Sequence, residues 1–340
     1  HNQCRLRLQG RSPNSRRIRM NRTLKLLITL PLLLLITLPT IGCSVNPATG
    51  KRSFTLMSWE KEKALGLAAA PQMTEAFGGE VPDAAIGDYA RQVGGKLVTG
   101  VEEGVPQLEW EFTVLNSPVI NAFALPGGKI FLSRGLAEKL DSEAQFAGVL
   151  GHEIGHVTAR HSNQQMSQQL GINFAIGAVA AGIGLSDADS DVRKYGQLGL
   201  PAVAVGSNLY LLSFGRSEEL EADMLGMRYM SRAGYNPRGQ LEVMQVLAAE
   251  SQGARQPEWL STHPLPESRI DRINELLATQ YADTQNNPSY VDNQARYKAD
   301  MLDRLSKLPP APEPSADEQA QANAYLDPSL YCAECRHAVN

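Results

Sequence analysis

The chain is poor in cysteine, poor in cationic charge beyond its first residues, and without an apolar run long enough to cross a membrane. Each shortage excludes something. Four cysteines stand in 340 residues, and only Cys332 and Cys335 lie close together, as Cys-Ala-Glu-Cys. In an exported protein they could close a small disulfide. With His337 they could also make half a metal site, but no strand-to-helix setting marks them as a redox pair. Residues 1–43 carry eight of the 32 Lys and Arg and none of the 36 Asp and Glu. The remainder therefore holds 24 cations against 36 anions, a net of −12. An acidic body argues against nucleic acid as a partner. The apolar stretches at 26–38 and 171–185 are shorter than the roughly 20 residues that a membrane-spanning helix needs. No helical hairpin repeats, so a tetratricopeptide array is not expected. What remains is 43% hydrophobic and 20% charged, ordinary for a globular core.

The N-terminal region reads as a leader rather than as part of that core. The chain begins with His1, and residues 1–19 are basic and patternless, which suggests an over-extended start before Met20. From Met20, two cations (Arg22 and Lys25) precede the apolar run, as in a secretory signal. The run ends at Gly42-Cys43. A glycine directly before a cysteine in this position resembles a bacterial lipobox, although Thr40 stands where Leu is usual. Residues 20–43 are thus expected to be a lipoprotein signal peptide, with Cys43 lipidated and anchoring the chain. Ser44 follows, not the Asp that would resemble an inner-membrane retention signal, so the periplasmic side of the outer membrane is the expected location. Residues 44–58 are turn-forming and expected as a tether. Residues 59–308 are the expected main domain, and a proline-rich linker with an appendage fills 309–340.

The chemistry is concentrated in His152-Glu153-Ile154-Gly155-His156. On a helix, residues four apart share a face, about 5–6 Å apart at Cβ. Two imidazoles so placed can hold one zinc ion, and Glu153 can sit beside it and take a proton from water. The preceding residues favour helix, with Asp141 or Ser142 as N-cap. Gly151 and Gly155 each weaken that helix by about 1 kcal/mol relative to Ala. Close packing of another element, or metal binding, has to compensate.

Ahead of the motif lies a strand pattern. Leu108, Trp110, Phe112 and Val114 alternate with period two. Residues 119–125 and 129–133 are two further strands around the turn at Pro126-Gly127-Gly128, which makes a small antiparallel sheet. An edge strand beside a protease site can take up substrate backbone, and Asn121, Ala122 and Phe123 are the candidates. Residues 171–185 read as a buried helix or a flap over the cleft.

A second acidic helix follows. Glu219 and Asp223 are four apart and share a face. One can complete the metal site while the other accepts the free N–H of a ligating histidine. Glu218 and Glu221 point elsewhere and need no role beyond favourable charge at a helix N-terminus. His263 sits between Thr262 and Pro264 in a proline-bracketed loop. It could stabilise an oxyanion, cap the metal as a fourth ligand, or simply cap the next helix. Arg269 could bind a carboxylate near the site.

Four blocks stand here in one order: residues 121–128, residues 151–156, Glu219-x-Glu221-Ala222-Asp223 and Thr262-His263-Pro264. Together they resemble the zinc metallopeptidase family of the CAAX prenyl protease, HtpX and BepA, over roughly residues 45–280. Gly215-Arg216 departs mildly from that family's usual Ser-Arg, and the multiple spans of some members are missing, which points to the soluble, lipid-anchored bacterial branch. The resemblance implies an α+β, mainly helical, gluzincin-type zincin with a small antiparallel sheet beside the motif helix. It implies one Zn2+ per chain on His152, His156 and Glu219, with Glu153 as catalytic base and Asp223 behind a ligand. It also implies unfolded or misassembled envelope proteins as substrates and contact with envelope assembly machinery. The alternatives are a latent enzyme acting mainly as a chaperone or assembly factor, and an aminopeptidase, for which no amine-binding motif is visible.

Overall fold

A computed structural model describes residues 43–169, 213–252, 257–264 and 267–312. The signal segment, the 171–185 stretch, the C-terminal appendage and the Cys332–Cys335 pair lie outside the described residues, as does the side chain of Cys43. Among the described residues no helix is long and apolar enough to cross a membrane.

The fold is organised around one helix, α4 (Glu143–Ala159), every residue of which is buried. Ser142 caps it, its side chain accepting from the Gln145 N–H. Around α4 pack α2 (Ala84–Val98), α5 (Arg216–Arg232), α6 (Arg238–Glu250) and the sheet. The apolar side of α2, with Ile86, Tyr89, Val93 and Leu97, meets Phe146 and Leu150 of α4 in one continuous core. Before α2, α1 (Trp59–Ala76) is capped by Ser58. It covers the sheet through Ala69, Met73 and the stacked rings of Phe123 and Phe131, 4.8 Å apart.

The sheet is mixed, where an antiparallel one was expected. Its strands are β3 (Glu111–Leu115), β4 (Ala122–Leu125) and β5 (Lys129–Ser133), in the order β3-β5-β4. Gly127 (φ 83°) and Gly128 (φ 95°) form a tight reversal that side chains would oppose, so β4 and β5 are antiparallel. The returning strand then inserts beside β3 and runs parallel to it, with Phe112 opposite Ile130. β5 becomes the central strand and is buried throughout, while β4 takes the edge.

Residues 44–58, expected as a tether, are bonded to the far end of the motif helix. Two three-residue strands, β1 (Cys43–Val45) and β2 (Arg52–Phe54), pair into a separate ribbon. Asn46 donates to the carbonyl of Thr158, and the Leu56 N–H donates to Ser167 Oγ. Arg160 ends α4 in the left-handed region (φ 62°), which costs a non-glycine residue about 1–2 kcal/mol. Its guanidinium donates to Glu62, Thr55 and the Met57 carbonyl and lies 4.4 Å from the Trp59 ring centroid. These contacts hold the turn, and the chain starts a fresh helical run at 161–169. The motif helix thus does not run on into 161–169; Arg160 breaks it.

The two motif glycines are explained by backbone contact. A Cβ on Gly155 would stand 2.8 Å from the Ala222 carbonyl oxygen of α5. One on Gly226 would stand 2.9 Å from the nitrogen of His152. α4 and α5 therefore cross with main chain against main chain, which brings His152 and His156 to the start of α5.

Candidate metal centre

His152, His156, Glu219 and His263 are all buried, and one donor atom from each lies within 4.8 Å of the others. The nearest approaches are 3.0 Å between the Nε2 atoms of His152 and His156, 3.4 Å from His152 Nε2 to His263 Nδ1, and 3.0 Å from His263 Nδ1 to Glu219 Oε1. Glu219 also stands 3.5 Å from Nε2 of each motif histidine. Ligands about 2.1 Å from a tetrahedral zinc are separated by roughly 3.4 Å, so these spacings fit one such ion.

The hydrogen bonds behind the donors fix their tautomers. His152 Nδ1 donates to Asp223 Oδ1 at 2.9 Å, which leaves its Nε2 lone pair facing inward. Asp223 is itself held by Arg269, which donates through Nε at 2.8 Å and Nη2 at 2.7 Å, and by Gln240 at 2.9 Å. The Arg269 guanidinium also reaches Glu219 at 2.6 Å and is fully buried. Burial opposes ionisation of Asp223, but Arg269 outweighs it and holds the carboxyl below the usual range. Glu219 is likewise held well below, burial being overcome by His263 and the other histidines. In the metal-free chain, burial also opposes a charge on His152, yet Asp223 and Glu219 raise its pKa to about 9. The pocket is built for a cation.

Glu153 sits beside this cluster. Its Oε1 accepts from Trp259 Nε1 at 3.3 Å and lies 3.7 Å from His263 Nε2. Its Oε2 is buried with no hydrogen-bond partner. A carboxylate oriented on one oxygen and free on the other is suited to handling a proton. Trp259 stands in the four-residue α7 (Trp259–Thr262), whose N–H to the Ile120 carbonyl ties it to the chain entering β4. The same short element presents His263. Arg269 follows on α8 (Glu267–Ala278).

Asn121, Ala122 and Phe123 lie at and just before edge strand β4, and all three are buried. The Asn121 carbonyl accepts from the Ser133 N–H, so its backbone faces inward to β5.

One of the carboxylates taken to point elsewhere does not. Glu218 accepts from the Gly215 N–H at 2.8 Å, as a bland helix-end acid should. Glu221 instead lies 3.2 Å from His161 Nε2, and His161 Nδ1 lies 2.9 Å from His156 Nδ1. His161 carried a visible signal, a third histidine just past the motif. Trp259 and Gln240 carried none, being distant in sequence and of unremarkable type.

A helix pair that converges buried imidazole and carboxylate donors on one point, with a free carboxylate beside it, defines a zincin-type metallopeptidase. A family model described as peptidase family M48 matches residues 88–277. The chain is 31% identical over 278 residues to a beta-barrel assembly-enhancing protease of Yersinia pestis, covering 77% of this chain and 55% of that one. The protein of the same name from Escherichia coli K12 is 31% identical over 261 residues, 71% of this chain and 52% of the other. The mitochondrial metalloendopeptidase OMA1 of Schizosaccharomyces pombe is 30% identical over 234 residues, 68% and 65% of the two chains. The chain belongs to peptidase family M48, a family of zinc metallopeptidases. It spans about half the length of the two bacterial relatives.

Proposed function

We propose that this chain is a zinc-dependent endopeptidase that hydrolyses peptide bonds in misfolded or misassembled proteins of the bacterial envelope. The observation that carries the reading is the convergence of His152, His156 and Glu219 beside a Glu153 oxygen left without a partner. When bound, a zinc ion here supplies Lewis acidity, polarising a carbonyl and acidifying water. His152, His156 and Glu219 are the residues that hold it. Glu153 takes the proton from the attacking water and returns it to the leaving amine. Asp223 orients His152, and Arg269 keeps Asp223 ionised. The Asn121–Phe123 segment, on the edge of the sheet, receives the substrate backbone. The envelope substrates are inferred from the names of the bacterial relatives. Cys43 as a lipid anchor facing the periplasm, and contact with assembly machinery, belong to the same reading. Blocking lipid attachment with Cys43→Ala should release the chain from the membrane fraction.

A second reading rests on His263. Its Nδ1 occupies the fourth corner of the donor set, where it would block the position a substrate carbonyl or water needs. The chain would then be latent and act mainly as a chaperone or assembly factor until His263 withdraws.

One paired measurement tests both. The protein from Ser44 onward and its Glu153→Gln variant are assayed for zinc per chain and for digestion of casein. Zinc in both with cleavage by the unmodified form alone supports the endopeptidase. Zinc in both with no cleavage favours latency, and His263→Ala should then release activity. Undiminished cleavage by Glu153→Gln would remove Glu153 as the base.

A further inference from the structure

We propose that His161 and Glu221 form a second hydrogen-bonded support for the metal site, a positioning pair that holds His156 with Nδ1 protonated and Nε2 free for the ion. The inference rests on His156 being a metal ligand, as in the reading above.

The two motif histidines are supported differently. His152 meets a carboxylate directly, through Asp223 at 2.9 Å. His156 does not. Its Nδ1 faces another imidazole nitrogen, His161 Nδ1, at 2.9 Å. Two facing ring nitrogens form a bond only when one donates. On the far side of His161, Nε2 lies 3.2 Å from Glu221 Oε2. An ionised carboxylate can only accept, so His161 Nε2 carries the proton. Because His156 gives its Nε2 lone pair to the ion in the reading above, its ring proton lies on Nδ1 and donates to His161 Nδ1. The Nε2 of His156 stands 3.0 Å from the corresponding atom of His152. Lys51 closes the chain at 2.7 Å from the other Glu221 oxygen.

The backbone is shaped for this arrangement. Residues five apart on a continuous helix lie about 140° round from one another, so an unbroken helix would carry His161 away from His156. The left-handed turn at Arg160 (φ 62°) brings it back. His161 is 1% exposed, and its ring also packs edge-on to His156, centroids 4.9 Å apart. A buried imidazole at the end of a strained turn, hydrogen-bonded on both nitrogens, is a specified feature of the site.

The test uses the full chain with three substitutions and zinc as the probe. His161→Phe keeps the bulk and removes the acceptor. His161→Asn places Oδ1 where Nδ1 stood and restores it. His156→Ala controls for the ligand itself. Zinc affinity is measured by competition with a chromogenic chelator, and the His156 tautomer by long-range proton–nitrogen correlation in the zinc-loaded protein. His161→Phe should weaken zinc binding by about 10- to 100-fold, the usual effect of removing a ligand's outer partner, and should change the His156 Nδ1 signal. His161→Asn should regain most of that affinity. Unchanged affinity in His161→Phe, or an Asn variant as weak as Phe, would overturn the proposal. If His161→Phe does not fold, Glu221→Gln provides the same readings, with the His156 tautomer unchanged in the overturning outcome. Full zinc in His156→Ala would instead show that the metal reading itself fails, whatever His161 does.

Discussion

The two sides of the metal centre are braced to different degrees. On the His152 side, Asp223 is gripped by two donors from Arg269 and one from Gln240, all buried. On the His156 side, His161 and Glu221 stand in line and end at Lys51, whose side chain is 68% exposed. The first support is over-determined by α5, α6 and α8. The second depends on a turn after α4 and on the N-terminal segment wrapped around it. The donor cluster is held from the core side, and the line of contacts on the other side reaches solvent at Lys51.

The difference can be broken most severely at Arg269. Arg269→Met leaves Asp223 and Glu219 buried without their cation. Stability should fall by about 3–5 kcal/mol, read as a lower thermal midpoint of the metal-free chain. Asp223→Ala removes the direct support of His152, and zinc affinity should drop by about 10- to 100-fold by chelator competition.

Proton competition sharpens the comparison, because it acts on one histidine. The raised pKa of His152, about 9, means that the metal-free pocket holds an extra proton below that pH. Zinc must displace it. Apparent affinity should therefore climb about tenfold per unit from pH 7 toward 9 and level off above. Calorimetry in buffers of differing ionisation enthalpy should count one proton released near neutrality. For folding the sign is opposite. A raised histidine pKa stabilises the metal-free fold below the unfolded value of about 6.5, and that contribution is lost as pH rises through 9. The smallest effect is expected at the exposed end. Lys51→Met should change zinc affinity no more than a few-fold, since exposed ion pairs contribute at most about 1 kcal/mol, and high salt should mask the change. A large loss there would mean that the outer support matters as much as the inner.

Much of this was legible in the sequence where a spacing on one element decides the geometry. Four-residue spacing gave the His152–His156 face and the Glu219–Asp223 face, and Ser142 was one of the two residues offered as cap of the motif helix. The rest depended on contacts between distant segments. Alternation identified β3, and the Pro126-Gly127-Gly128 turn β4 and β5, but not the insertion of β5 between the other two, which depends on which edges meet. Glu221 looked redundant because its partner lies on a helical run redirected by Arg160, and a non-glycine residue at positive φ leaves no compositional mark. Residues 44–58 read as a tether since turn-forming residues look alike whether they hang free or bind a neighbour through Asn46 and Met57.

The main-chain crossing of α4 and α5 acts as a calliper with fixed jaws. His152 and His156 stand on one jaw and Glu219 on the other, and the gap is set by Gly155 against Ala222 and Gly226 against His152. No side chain lies between them to be trimmed or enlarged. The crossing therefore fixes the backbone separation from which His152, His156 and Glu219 reach toward one another. Adjustment falls to His263, carried on a four-residue helix apart from that crossing.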